Sequence, residues 1–218
     1  MGTRLSVAIL GLLALLPAHN LYGGEPPSKY YPLKADLTWT YKVISDKSQD
    51  RKIVITNLPA KEVNGVTVTP RKWDMGGMVK FYLMATDSMG IYRYGEQKDE
   101  KADPVLTKPK VYSLKDPVTE GTTWDINTKL GEDELTVNLT VETTSEAVTV
   151  PAGAYKDCAR VKHSGGNQKD GASISLEAYE WYAPEVGLVK SMVTINKVGK
   201  DQAKTSEHLT YQLESFKP

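Results

Sequence analysis

Few side chains in this 218-residue chain are of the kind that do chemistry, and their spacing limits what each can do. His163 stands just before Ser164-Gly165-Gly166, which reads as a flexible loop, and His208 falls on the polar side of an alternating C-terminal run. A zinc site needs three or four His, Cys or carboxylate ligands at close spacing, and the sequence offers no such group. It also lacks a Gly-x-Ser-x-Gly elbow, a phosphate-binding glycine loop and a His-Glu-x-x-His. His163 and Ser164 are neighbours, so on a strand they would point apart and could not work as base and nucleophile. Cys158 is the only cysteine. With no His or Lys immediately beside it to lower its pKa, it reads as a small buried apolar residue. Glu177 and Glu180 flank Tyr179 near Trp181, and sugar sites do combine acids with aromatics. An acid beside a Tyr on a strand reads more simply as part of a solvated face. No catalytic residue, metal ligand or cofactor-binding residue is assigned, and the chain is read as a non-enzyme.

Aromatic side chains are the remaining chemistry. Most recur at period two and so belong to a core. Tyr179-Glu180-Trp181-Tyr182 places aromatics on both faces of one strand, and Phe81-Tyr82 does the same. An aromatic on the second face can line a groove for a hydrophobic or carbohydrate ligand, or it can pack beneath a loop or second sheet. Tyr179, Trp181 and Tyr82 are therefore the candidate ligand-binding residues.

The elements that must position them are strands. Leu37, Trp39, Tyr41 and Val43 share one face, opposite Thr38, Thr40 and Lys42. Leu135, Val137, Leu139 and Val141 alternate with Thr136, Asn138 and Thr140, and Leu209, Tyr211 and Leu213 alternate with His208, Thr210 and Gln212. One apolar and one polar face marks an antiparallel sheet with a solvated side. The turns agree. Asn64-Gly65 between two β-rich runs reads as a type I′ hairpin, and Asp87-Ser88-Met89-Gly90 as a type I turn closing into a bulge. Pro151-Ala152-Gly153 and Pro184-Glu185-Val186-Gly187 punctuate the second half. Residues 97–110 are charged and contain Pro104 and Pro109, and they read as a surface loop or linker. The expected fold is all-β, with about ten or more antiparallel strands, little helix, and either a strongly curved sheet or two packed sheets.

A weak repeat runs through the chain. Pro32-Leu33 … Thr38-Trp39 aligns with Pro117-Val118 … Thr123-Trp124, Val66-Thr67-Val68 with Val148-Thr149-Val150, and Tyr82 … Met89-Gly90 with Tyr179 … Val186-Gly187. Three anchors in one order favour a duplication with halves at about 30–112 and 113–218, against chance similarity of two β meanders. Lys+Arg and Asp+Glu are both 27, so no net charge draws the chain to nucleic acid or an anionic membrane. Arg4 precedes the apolar run Leu5–Ala18, which is shorter than the ~20 residues of a membrane span and ends in small residues. Residues 1–23 therefore read as a secretory signal peptide, leaving 24–218 as one β-rich domain with no membrane span.

The stretch Trp181-Tyr182-Ala183-Pro184-Glu185-Val186-Gly187-Leu188-Val189-Lys190 resembles a known family. So do Tyr31-Pro32-Leu33 … Trp39-Thr40-Tyr41 and Val150-Pro151-Ala152-Gly153-Ala154-Tyr155 … Cys158. The combination is similar to TapB-like exported bacterial proteins carrying a domain of unknown function. That resemblance implies a periplasmic or secreted location and a mostly antiparallel fold, and it brings no catalytic residues. Two roles stay open: a non-enzymatic binder of a hydrophobic or extended ligand, and a structural module docking on another envelope protein. No cofactor is expected. N-terminal sequencing of protein from a native host should find the mature chain beginning near Gly24, and a chain retaining Met1 in the membrane fraction would overturn the leader.

Overall fold

Apolar–polar alternation makes almost every described segment a strand. The computed structural model describes residues 28–131 and 133–218, so the leader assigned to 1–23 lies outside the described residues. A first series comprises β1 (Thr38–Ser45), β2 (Arg51–Asn57), β3 (Lys61–Val63), β4 (Val66–Asp74), β5 (Val79–Asp87), β6 (Gly90–Gln97) and β7 (Val105–Lys115). A second comprises β8 (Thr123–Leu130), β9 (Asp133–Val150), β10 (Gly153–Lys169), β11 (Ala172–Ala183), β12 (Gly187–Val198) and β13 (Lys204–Lys217). No helix is present among the described residues.

All these strands form one antiparallel sheet in the order β7-β6-β5-β4-β2-β1-β13-β12-β11-β10-β9-β8, with β3 hairpinned on β4. Of the two architectures open from sequence, the structure has the single strongly curved sheet, nearly closed into a barrel. The first and last strands join the two meanders, with Thr38 opposite Lys217 and Ser45 opposite Leu209. The sheet's free edges, β7 and β8, are consecutive in the chain and meet through side chains. Trp124 on β8 donates its indole N–H to the Tyr112 carbonyl of β7 at 3.1 Å, and Leu114 and Trp124 belong to one buried cluster. This contact brings the edges together without a backbone ladder.

Period-two packing sets inside and outside. Trp39, Tyr41 and Val43 are buried beside Ile53, Ile55 and Leu213. Leu135, Val137, Leu139 and Val141 are buried beside Val161 and Ile174. The opposite rows carry exposed ion pairs such as Lys42–Asp50 at 2.9 Å and Lys52–Glu214 at 2.8 Å. A membrane-spanning barrel needs an apolar outer band there. The Asn64-Gly65 hairpin joins β3 to β4 with φ of 51° and 75°, the doubly positive geometry of a type I′ turn.

Two segments differ from the sequence reading. Val105–Lys110, expected in a loop, belongs to β7, where Val105 and Leu106 pair with Glu96 and Gly95. Pro109 is tolerated because residues 107–110 bulge out of register between Leu106 and Val111 with no partner on β6, on a strand whose other side is a free edge. Likewise His163-Ser164-Gly165-Gly166 is the middle of β10, paired on both sides. The glycines serve close approach instead of a turn. A Cβ on Gly165 would lie 2.2 Å from the Thr136 oxygen, and one on Gly166 would lie 2.4 Å from the Ile174 oxygen.

The repeat anchors fall on these strands unevenly. Trp39 and Trp124 each take the second position of the first strand of their meander. Setting β3 aside, Tyr82–Gly90 and Tyr179–Gly187 each span the hairpin between fourth and fifth strands. Val66–Val68 opens β4, whereas Val148–Val150 closes β9, so the middle pair lies on opposite sides of a hairpin. The break between meanders is at 116–122, and position 112/113 lies inside β7. Gly165→Ala should destabilise the fold by ~1–3 kcal/mol in urea denaturation, the usual range for overpacking. A neutral result would mean the β9–β10 approach is not tight.

Candidate functional site

The segment before β1 has no strand of its own and is tied down by polar side chains. Asn57, at the end of β2, is fully buried. Its side-chain amide donates to the carbonyls of Pro32 at 3.1 Å and Lys34 at 3.0 Å, and its oxygen accepts from Arg71 Nε at 2.8 Å. Arg71 Nη2 donates to the same Pro32 carbonyl at 3.0 Å, and Thr69 donates to that of Leu33 at 3.2 Å. Thr69, Arg71 and Trp73 share a face of β4 by period two, so one strand supplies both the anchor and an aromatic wall. The Arg71 guanidinium lies 4.3 Å from the Tyr31 ring centre and 4.9 Å from that of Trp39.

Above this anchor the curved sheet encloses a cavity of about 220 Å³. Tyr31, Trp39, Tyr41, Arg71 and Trp73 line it from the first meander, with Arg93 and Tyr112 further round. His163, Glu180, Tyr182 and Leu188 line it from the second. A neighbouring cavity of about 230 Å³ shares Tyr31, Arg71, Trp73, Arg93 and Ser113 and adds Tyr82 and Met84.

One wall is polar. His163 Nε2 stands 3.2 Å from Glu180 Oε2, an ion-pair contact outside hydrogen-bond alignment, and the Tyr182 hydroxyl donates to the same carboxylate. Burial works to raise the Glu180 pKa, but the facing His163 charge and the two side-chain contacts outweigh it and hold the carboxyl below its usual value. Burial, reinforced by Glu180, pushes the Tyr182 phenol well up, and burial does the same to Tyr41. Both phenols therefore stay neutral donors, and the Tyr41 hydroxyl donates to the Leu188 carbonyl at 2.7 Å.

Of the three residues singled out in the sequence, Tyr82 lines the second cavity, with its ring edge-on to Trp73 at 5.6 Å. Tyr179 and Trp181 lie on the face of β11 opposite Glu180 and Tyr182 and line neither cavity. Trp181 is buried in the cluster that holds Cys158 and Val150. Cys158 is fully buried, and burial with the nearby Glu146 and Asp157 carboxylates pushes its thiol up to about 11, so it is a poor nucleophile. Glu177, at 53% exposure, faces Lys162, while Glu180 turns inward. No group of three or more His, Cys, Asp or Glu suited to a metal occurs among the described residues. Sequence reasoning missed Arg71, Tyr31 and the His163–Glu180 pair. For Arg71 the available signal was its place between Thr69 and Trp73 on an inward row.

These features define a class: an antiparallel β protein, nearly closed into a barrel, around a small aromatic cavity with charged walls. The DUF3108-like family profile matches residues 122–206, most of the second meander. A protein of Bacteroides fragilis described as exported, with a YmcC-like fold, is similar at 17% identity and TM-score 0.46, covering 86% of this chain and 98% of that one. A protein of Parabacteroides distasonis described as a lipoprotein is similar at 16% identity and TM-score 0.43, covering 88% of this chain and 100% of that one. No curated protein matches the chain.

Because the folded Glu180 pKa lies below its unfolded value near 4.5, its contribution is present above that pH and is lost as pH falls through the folded pKa. Glu180→Gln should therefore remove part of the acid-side loss of stability, read as a flatter melting temperature between pH 5 and about 3. An unchanged pH profile would show that Glu180 does not carry it.

Proposed function

We propose that this is an exported cell-envelope protein that holds a small or extended apolar ligand inside its curved sheet, without acting on it chemically. The observation that carries the reading is the pair of adjoining cavities walled by Tyr31, Trp39, Trp73 and Tyr82. At about 220 and 230 Å³ each is smaller than a typical ligand pocket of roughly 300 Å³ or more, so the adjoining pair suits a small molecule, or one end of an extended one, and not a whole lipid. The leader-like N-terminus and the TapB-like stretches at 31–41, 150–158 and 181–190 support export. Tyr82 is the candidate contact residue of this reading.

A second reading is favoured by one different observation. The β7 and β8 edges share no backbone ladder, and Val105 on β7 is 75% exposed. A partner envelope protein could add a strand there. Native mass spectrometry of freshly purified protein separates the two. A co-purifying small molecule, lost roughly 3- to 10-fold more readily from Tyr82→Ala, is expected of the binder. A stable second polypeptide with no small molecule would favour the docking module.

A further inference from the structure

Among the described residues the charge on Arg71 has no counter-ion. The side chain is 8% exposed, its Nε and one Nη2 hydrogen are used on neutral acceptors, and no carboxylate lies at ion-pair distance among the described residues. Stacking on Tyr31 and Trp39 offsets part of the desolvation of the cation, yet a buried guanidinium normally has an anion opposite it. The one carboxylate lining its cavity, Glu180, is engaged by His163 and Tyr182.

A second cation faces the same space. Arg93 lines both cavities and sits 5.4 Å from the Tyr82 ring centre; its Nη1 meets Glu96 at 2.8 Å, and its side chain is 29% exposed. The cavity that Arg71 and Arg93 share with Tyr82 has no carboxylate in its lining. Two guanidinium groups therefore border a pocket whose other walls are aromatic or thioether, apart from Ser113. Guanidinium pairs suit oxyanions, because their planar N–H groups match two oxygens at once.

Resting on the binding reading above, we propose that this pocket takes an anionic head group borne on a small apolar or aromatic body. The oxyanion sits between Arg71 and Arg93, and the body lies on Tyr31 and Tyr82. A carboxylate and a phosphate ester share this chemistry.

The test is calorimetric titration of the full mature chain with phenylacetate, phenyl phosphate and the neutral isostere phenylacetamide. The expected result is that at least one anion binds roughly tenfold tighter than the amide, a preference that Arg93→Gln reduces to about threefold or less. The tighter of the two anions identifies the head group. Arg71 also anchors the 28–37 segment, so Arg93→Gln is the informative variant, with an unchanged melting temperature showing that it is folded. Equal binding of anion and amide, or a co-purifying neutral ligand, would overturn the anion inference and leave the binding reading standing. Failure of all three probes, with nothing co-purifying, would overturn both.

Discussion

Arg71 is the side chain on which the cavity depends. A buried guanidinium must find acceptors, and here they are the Asn57 amide oxygen and the Pro32 carbonyl. Asn57 in turn holds Pro32 and Lys34, so two adjacent side chains fix a segment that has no ladder of its own. Each bond to a charged donor contributes ~1.5–3 kcal/mol, and each buried amide left unpaired would cost about as much. The network therefore holds together or fails as a unit. Its geometric result is the placement of Tyr31 against the Arg71 plane, which makes the irregular segment a wall of the cavity.

The curvature of the sheet brings the two meanders face to face. The first contributes Arg71, Trp73, Tyr82 and Arg93, and the second contributes His163, Glu180 and Tyr182. Neither set is a site by itself. They meet because β1 pairs with β13, and because Trp124 fastens the free edges at its far side. The strands of the second meander are longer, and β9 and β10 run close enough that only glycine fits at 165. Bulges at Thr40/Tyr41, Leu83/Met84 and Trp181/Tyr182 sharpen the bend of strands that line the cavity.

The interior holds its charges in two separate arrangements. Glu180 is satisfied by His163 and Tyr182 of its own meander, which outweigh burial and lower its pKa, while burial keeps the neighbouring phenols neutral. Among the described residues Arg71 is satisfied by neutral oxygens and aromatic faces alone. On the proposed reading, that imbalance is what would separate neutral from anionic ligands of one shape, which aromatic walls alone could not do.

Local pattern determined most of the strands, because a half-buried antiparallel sheet writes its faces into the chain at period two. Leu37, Trp39, Tyr41 and Val43 are buried as their alternation demands, and Asn64-Gly65 turns as its dipeptide demands. The absence of helix among the described residues was legible for the same reason. What local pattern could not determine was which aromatic faced the cavity. On β11 Tyr179, Trp181, Glu180 and Tyr182 alternate, and only the direction of sheet curvature decides that the Glu and Tyr182 turn inward. Gly165 and Gly166 read as a turn because a glycine's local preference is silent about a neighbouring strand 2.2 Å from its missing Cβ. Pro109 read as a breaker because nothing in the sequence says that its strand is an edge. The partners of Arg71, His163 and Glu180 are far apart in the chain, and side-chain ion pairs and cavities are properties of closure. Only the tertiary structure decided them.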